Sequence, residues 1–367
     1  MVATLRVVLD QLVAPTDAPL AEASRELARA LVIAAPSGCE VDGVVPSGPG
    51  RVDVEGLADV RRTALARREL AAALQLGAPT GIGGGMIHSP SLFAPLVRHD
   101  RVHDYDQTVV TVWDLRAWEV PDELPRGVAG WQKAMLKRAV KHADAVVVPT
   151  HAHAQRLAEI APRLADRLRV IAGAAPAGFA IPTDEVGRRR ELALPEGFVL
   201  LVGGAMPSDD LAAGMAAVAV SGLDLPVVVI DVEEGHEPAV VDLASGAGIP
   251  ERRVHVRGPL EIPDRAAVFG AAVALVAPSG RTAFPWRIVD ALTLGVPVVA
   301  ADTAVNREVV LDGGVLVADA SELGSVLADA LASTDAAGRL GVLAGDRGRA
   351  FSWREAADRV WQLHAEL

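Results

Sequence analysis

Residues 278–319 run PSGRTAFPWRIVDALTLGVPVVAADTAVNREVVLDGGVLVAD, and the architecture of the chain follows from them. A loop of turn-forming residues leads into a helix start, and VPVVAAD then makes a short apolar run of the kind a strand shows when both its faces are buried. GVLVAD repeats the strand signal after another helical stretch. The same alternation extends upstream through FVLLVGG, LPVVVID, RVHVRGP and VALVAPS, with helical stretches at 209–221 and 264–272 between them.

The first half keeps that rhythm. LRVVLDQLV (5–13) predicts a buried strand, and residues 1–10 as a whole suit a first strand better than a signal peptide. Residues 19–35 carry a proline near their start and apolar side chains at helical spacing. CEVDGVVP, GGMIHSP, TVVTVWD, DAVVVPT and LRVIAG are further strand-like runs bounded by Gly, Pro, Asp or Thr. Strands alternating with helices in this way predict α/β architecture, a doubly wound parallel sheet in each half. Residues 174–197, rich in Gly and Pro and then charged, are the expected interdomain linker.

Composition agrees with two domains of ordinary size: 367 residues, 51% hydrophobic and 22% charged, can bury a large core. A formal charge of -12 argues against nucleic acid or an acidic membrane as the main partner, leaving room for a local basic patch and at most peripheral membrane contact. The single cysteine, Cys39, excludes an internal disulfide framework and fits a reducing cytoplasm. No apolar run reaches the ~18 residues of a membrane span. His142, His151 and His153 have no cysteine or carboxylate at ligand spacing, so no metal site is expected, and Thr150 suits a helix cap.

Pro278, Ser279, Phe284, Ala291, Gly295, Pro297, Val298, Val299, Ala300, Asp302 and Glu308 together resemble the donor-sugar motif of GT-B glycosyltransferases, family 4 (retaining, glycosyl transferases group 1) in particular. That family's pattern is close to PS-x-x-EGFG-x-P-x-x-EA-x-x-x-G-x-PVVA-x-D. Thr282 and Asp290 stand where it carries glutamates, so its catalytic motifs are degenerate here. The resemblance implies two Rossmann-like domains facing across a cleft: an acceptor-side domain over residues 1–180 and a nucleotide-sugar domain over 198–352. A terminal helix over 353–367, introduced by an FSW-like motif in which Ser352 and Glu355 suit a capping box, would return to the first domain.

On the donor side, the resemblance points to the strand end Gly203 and Gly204, to Arg257, to the loop Thr282, Ala283 and Phe284, and to Asp290, which can accept a ribose hydroxyl. The family's basic pair falls on Ser208 and Asp209, and an aspartate beside a diphosphate opposes its binding. Residues 208–210 equally suit a helix cap. Arg281 and Arg287 are the candidate compensating cations, with surface arginines as the bland alternative. On the acceptor side stand Pro15 and Asp17, in a stiff loop without glycine, and His88, which either contacts the acceptor or holds a loop. Trp113 and Asp114 occupy the family's HDL motif. Trp113 either stacks on a sugar face or fills the pocket, and Asp114 suits a turn cap. Trp113, Asp114 and Asp290 are therefore the candidate catalytic positions.

The expected function is transfer of a hexose, without metal or cofactor, from a nucleotide diphosphate sugar to a glycan, lipid-linked or small-molecule acceptor. The alternative is a catalytically degenerate member that binds a glycan, a nucleotide or a partner glycosyltransferase.

Overall fold

The computed structural model describes residues 2–100 and 106–367; Met1 lies outside the described residues. The chain divides into two compact units: Met1–Gly173 with Thr282–Phe284 and Ser352–Leu367, and Ala174–Arg281 with Pro285–Phe351.

The first unit is built on seven strands: β1 (Ala3–Val8), β2 (Cys39–Ser47), β3 (Asp59–Ala66), β4 (Met86–Ser89), β5 (Gln107–Thr111), β6 (Ala145–Val148) and β7 (Leu168–Val170). They pair in parallel in the order β3-β2-β1-β4-β5-β6-β7. Leu5, Val7, Val110, Val146 and Val148 are buried in it, each worth ~1.5–3 kcal/mol of apolar transfer. Two readings need correction. The first strand ends at Val8, because Asp10–Val13 turn into a helical loop. β3 was not visible in the sequence: as an edge strand it presents Arg61 and Arg62 to solvent, so it lacks the apolar run of its neighbours.

Helices cover both faces of this sheet. Ala18–Ile33 is capped by Asp17, which accepts from Leu20 N at 3.0 Å, and His151–Ile160 by Thr150, which accepts from His153 N at 3.1 Å. The helix Trp353–Glu366 is capped by Ser352 and packs on Ala18–Ile33, where Trp361 Nε1 donates to Leu31 O at 3.1 Å.

Inside this unit His88, on β4, and His364, on the last helix, face each other with ring centroids 5.7 Å apart. His364 Nδ1 meets Gln107 Oε1 at 2.9 Å, while its Nε2 and both ring nitrogens of His88 find no hydrogen-bond partner among the described residues. Burial pushes His364 down to about 4 against a partial opposing pull from Asp144, and burial with His364 as neighbour pushes His88 well below 6.5. Asp144 itself is held by His99 at 2.9 Å and by Thr108 N. Both histidines fold in their neutral form, so the unfolded chain binds more protons below 6.5. The first unit should therefore lose stability as pH falls from about 6.5 towards about 4. Thermal melts across that window check this, and His88→Phe with His364→Gln should flatten the slope. An unchanged slope in that variant would remove the two histidines as its cause.

The second unit holds six parallel strands: β8 (Phe198–Val202), β9 (Val227–Ile230), β10 (Val254–Val256), β11 (Ala272–Ala277), β12 (Val298–Ala301) and β13 (Val315–Val317). Their order is β10-β9-β8-β11-β12-β13, a Rossmann-like sheet like the first. Every residue of β9 is buried, as its unbroken Val and Ile run requires. The helix Trp286–Leu294 stops at Gly295, whose φ of 68° closes it in the left-handed region.

The stretch 174–197 is no bare linker. It belongs to the second unit and carries the helix Glu185–Glu191, which packs on the helix Ile262–Ala271 through Arg188 and Asp264, 2.7 Å apart. Phe179 also meets Phe269 edge-on. Glycine and proline shape the approach to that helix rather than freeing it. Among the described residues no helix is long and apolar enough to cross a membrane.

Candidate functional site

In the second sheet the strand order reverses direction between β8 and β11, so loops from their carboxyl ends diverge and leave room beside the backbone. β8 ends in Gly203 and Gly204. Gly203 adopts φ 119°, and a Cβ there would lie 3.1 Å from Asp209 Cγ, so glycine allows this carboxylate to approach. Asp209 is buried: its Oδ2 accepts from Gly204 N at 2.8 Å and its Oδ1 pairs with Arg281 at 2.8 Å. A backbone N–H at a glycine-rich strand end and a guanidinium are the contacts that hold a phosphate oxygen. Here a carboxylate of the chain itself holds both.

This geometry corrects three readings. Asp209 is not a helix cap, since it closes the short turn Pro207–Asp209, and the following helix Leu211–Val220 has no side-chain cap. Ser208 acts through its carbonyl, which accepts from Ser279 Oγ at 2.8 Å. Arg281 is neither a free phosphate cation nor a bland surface arginine. Asp210 carries a positive φ of 53° and accepts from Gly280 N, tying the two loops together.

One strand over, Asp231 follows β9 with a φ of 63°. Its Oδ2 pairs with Arg287 Nε at 2.6 Å, and its Oδ1 is buried without a hydrogen-bond partner among the described residues. Arg287 also reaches Asp290 at 2.9 Å, one turn along the helix Trp286–Leu294. Asp290 in turn meets Arg265 at 3.1 Å, and both side chains are 2% exposed. Asp290 is thus the centre of a buried ion cluster, which corrects its reading as an open ribose acceptor. Arg257 is also committed, with its guanidinium on Leu192 O at 2.7 Å and its backbone in the sheet. Sequence reasoning missed Asp231 and Arg265 because one looks like a strand-end turn residue and the other like an ordinary helix arginine.

Thr282, Ala283 and Phe284 belong to the first unit, which corrects their assignment to the donor side. Thr282 N donates to Glu119 Oε2 at 3.1 Å, Thr282 O accepts from Leu115 N, and Phe284 N donates to Trp113 O at 2.9 Å. Ala283 forms a lone antiparallel bridge with Asp114. With its flanking backbone hydrogen bonds, this bridge makes a short strand-like clasp.

Trp113 fills space. It is 9% exposed, donates from Nε1 to Pro90 O at 2.8 Å, and packs against Phe284 and Trp353 with ring centroids 5.9 and 6.4 Å away. With its N–H satisfied and aromatic neighbours on two sides, it is a core filler, not a stacking platform. Asp114 caps the turn that follows, accepting from Arg116 N at 3.0 Å. Arg116 bridges Asp114 and Asp17, at 3.1 and 2.9 Å. Burial works against its charge, but the two carboxylates hold its pKa above the usual value. Asp17 is occupied by this pair and by its helix cap, and His88 is fully buried against His364, so neither is free for an acceptor. Pro15 is exposed in the loop before them.

At the carboxyl end of β1, a further cluster escaped sequence reasoning. Asp10 is buried and held by Arg67 Nε and Gln11 Nε2, each at 2.9 Å, with the Arg67 guanidinium over Phe93. Burial raises the Asp10 pKa in spite of the arginine. Its signal in LRVVLD was hidden because the aspartate looked like the polar end of a strand.

Comparison with known proteins places the second unit. Residues 233–333 match the family described as glycosyl transferases group 1. This region resembles a glycosyl transferases group 1 domain. It contains Arg265, Arg281, Arg287 and Asp290 and begins just after Asp231. The D-inositol 3-phosphate glycosyltransferase of Nocardia farcinica is 30% identical over 256 residues, covering 62% of this chain. The chain spans only 55% of that relative's length. Among solved structures, sucrose-phosphate synthase from Thermosynechococcus elongatus aligns with a TM-score of 0.76 at 18% identity, over 99% of this chain and 98% of that one. Anabaena HepE in complex with UDP and glucose aligns at 0.74 and 16% identity over 100% of both chains. The two units have the Rossmann-like sheets of the GT-B fold.

Proposed function

We propose that the chain transfers a hexose from a nucleotide diphosphate sugar to a glycan, lipid-linked or small-molecule acceptor. The convergence of Gly204 N–H and Arg281 on a single anionic group, at the switch point of the group 1 unit, carries this reading. A diphosphate oxygen makes the same two contacts once Asp209 turns aside, and Arg287 at the start of the helix Trp286–Leu294 supplies a second fork. The named ligand of the Anabaena neighbour makes UDP and UDP-glucose the first probes.

A second reading has its own observation. Asp209 holds the anion position and Trp113 fills the family's histidine position, so a degenerate member that binds a nucleotide or a partner without transfer fits the same geometry. Titration calorimetry of the unmodified protein with UDP and UDP-glucose, followed by an assay for sugar release with and without acceptor glycans, separates the two. Binding with turnover supports transfer. Binding without turnover supports the degenerate member, and no binding at millimolar nucleotide ends both donor-based readings.

A further inference from the structure

Counted from β8, the strand order β10-β9-β8-β11-β12-β13 is 3-2-1-4-5-6, the order of nucleotide-binding Rossmann sheets. In such sheets the glycines after the first strand approach the phosphates, and an acidic residue at the end of the second accepts from the ribose. Here β8 is followed by Gly203 and Gly204, the helix Leu211–Val220 leads on to β9, and β9 is followed by Asp231.

The geometry at Asp231 suits that role. Val202 pairs with Ile230, and Gly203 N donates to Ile230 O at 3.1 Å, so Asp231 stands beside the glycine turn at the ~5 Å spacing of adjacent strands. That offset suits a ribose attached to a phosphate held at the turn. Asp231 Oδ2 takes Arg287 Nε at 2.6 Å, whereas Oδ1 is covered and has no hydrogen-bond partner among the described residues. The Asp231 side chain as a whole is 20% exposed against 2% for Asp290, which puts its carboxylate at the rim of the ion cluster rather than at its centre. An acceptor kept from water without a donor is a cost, and a ribose hydroxyl is a donor that would offset it.

The backbone adds a second argument. Glycine adopts a φ of 63° freely and a residue with a side chain does so at a cost, so the turn itself does not call for an aspartate. Pairing with Arg287 uses only one of the two oxygens, and that arginine also reaches Asp290 at 2.9 Å.

We infer that Asp231 holds the ribose 2′- and 3′-hydroxyls of the nucleotide, a part that Asp290, buried between two arginines, leaves open. Arg287 is the residue that positions it. The inference rests on the donor reading and deepens it: the second unit selects a ribonucleoside diphosphate through a charged acceptor.

Calorimetry with UDP, ADP and GDP, each beside its 2′,3′-dideoxy form, tests it. For whichever nucleotide binds, loss of both hydroxyls should weaken binding by about ten- to a hundredfold, the range of a hydrogen bond to a charged group. Asp231→Gly suits the backbone conformation; it should weaken the ribonucleotide by a similar factor and leave the dideoxy form unchanged, so that the discrimination disappears. Asp231→Asn keeps the shape and a neutral acceptor, and should discriminate by an intermediate factor. A carboxylate that served only to hold Arg287 would act otherwise, since both forms would weaken together and their ratio would persist. That result, or equal binding of the two forms by the unmodified protein, would overturn the assignment while leaving the donor reading intact. Failure of all three nucleotides to bind at millimolar concentration would end the donor reading and this inference with it.

Discussion

Asp290→Ala should destabilise the second unit by about 3–5 kcal/mol, because it leaves two guanidiniums without their shared carboxylate. Arg265 and Asp290 are each 2% exposed, so water cannot take over the lost contact. Arg287 keeps Asp231 as a partner. Arg265 keeps the face of Phe179, with its guanidinium carbon 5.4 Å from the ring centroid, but loses its buried carboxylate. Urea unfolding should show an earlier transition for the second unit, and Arg265→Met combined with Asp290→Leu should recover most of the loss, since it removes both buried charges and keeps volume. A loss below about 1 kcal/mol would be on the scale of an exposed pair and would show that Asp290 is not the structural centre of the cluster.

That role explains what the sequence could and could not convey. The alternating fold was legible because β9, β11 and β12 are short apolar runs, and parallel sheets covered on both faces demand such runs. β3 escaped because an edge strand can carry arginines. Within the site, the strand-end glycines, the cap at Ser352 and the turn cap at Asp114 could all be read from local chemistry. Partners distant in sequence could not. Arg281 and Asp209 are 72 residues apart, and Arg287 and Asp231 are 56 apart; their pairing depends on strand order rather than on any local pattern. Trp113 shows the same limit. Its two readings differed only in what packs on it, and Phe284 and Trp353 arrive from remote parts of the chain.

Asp209→Asn should tighten UDP binding by about a hundredfold. The carboxylate now sits on Gly204 N–H and Arg281, so an incoming diphosphate must displace a like charge from the position it needs. A unit charge ~5 Å from a second, at an effective dielectric of ~20, contributes ~3 kcal/mol of repulsion, equivalent to a factor of about a hundred in affinity. Asparagine keeps the shape but gives up the charge, so it yields both Gly204 N and Arg281 to the phosphate at lower cost. Asp209→Glu keeps the charge and should bind no better than the unmodified protein. Calorimetry on the three proteins reads the difference, and the gain should shrink with added salt because Arg281 is 30% exposed. Equal affinity in the Asn variant would mean that the diphosphate does not use Gly204 and Arg281. Tighter UDP binding without sugar transfer would instead support a member that binds the nucleotide and does not transfer sugar.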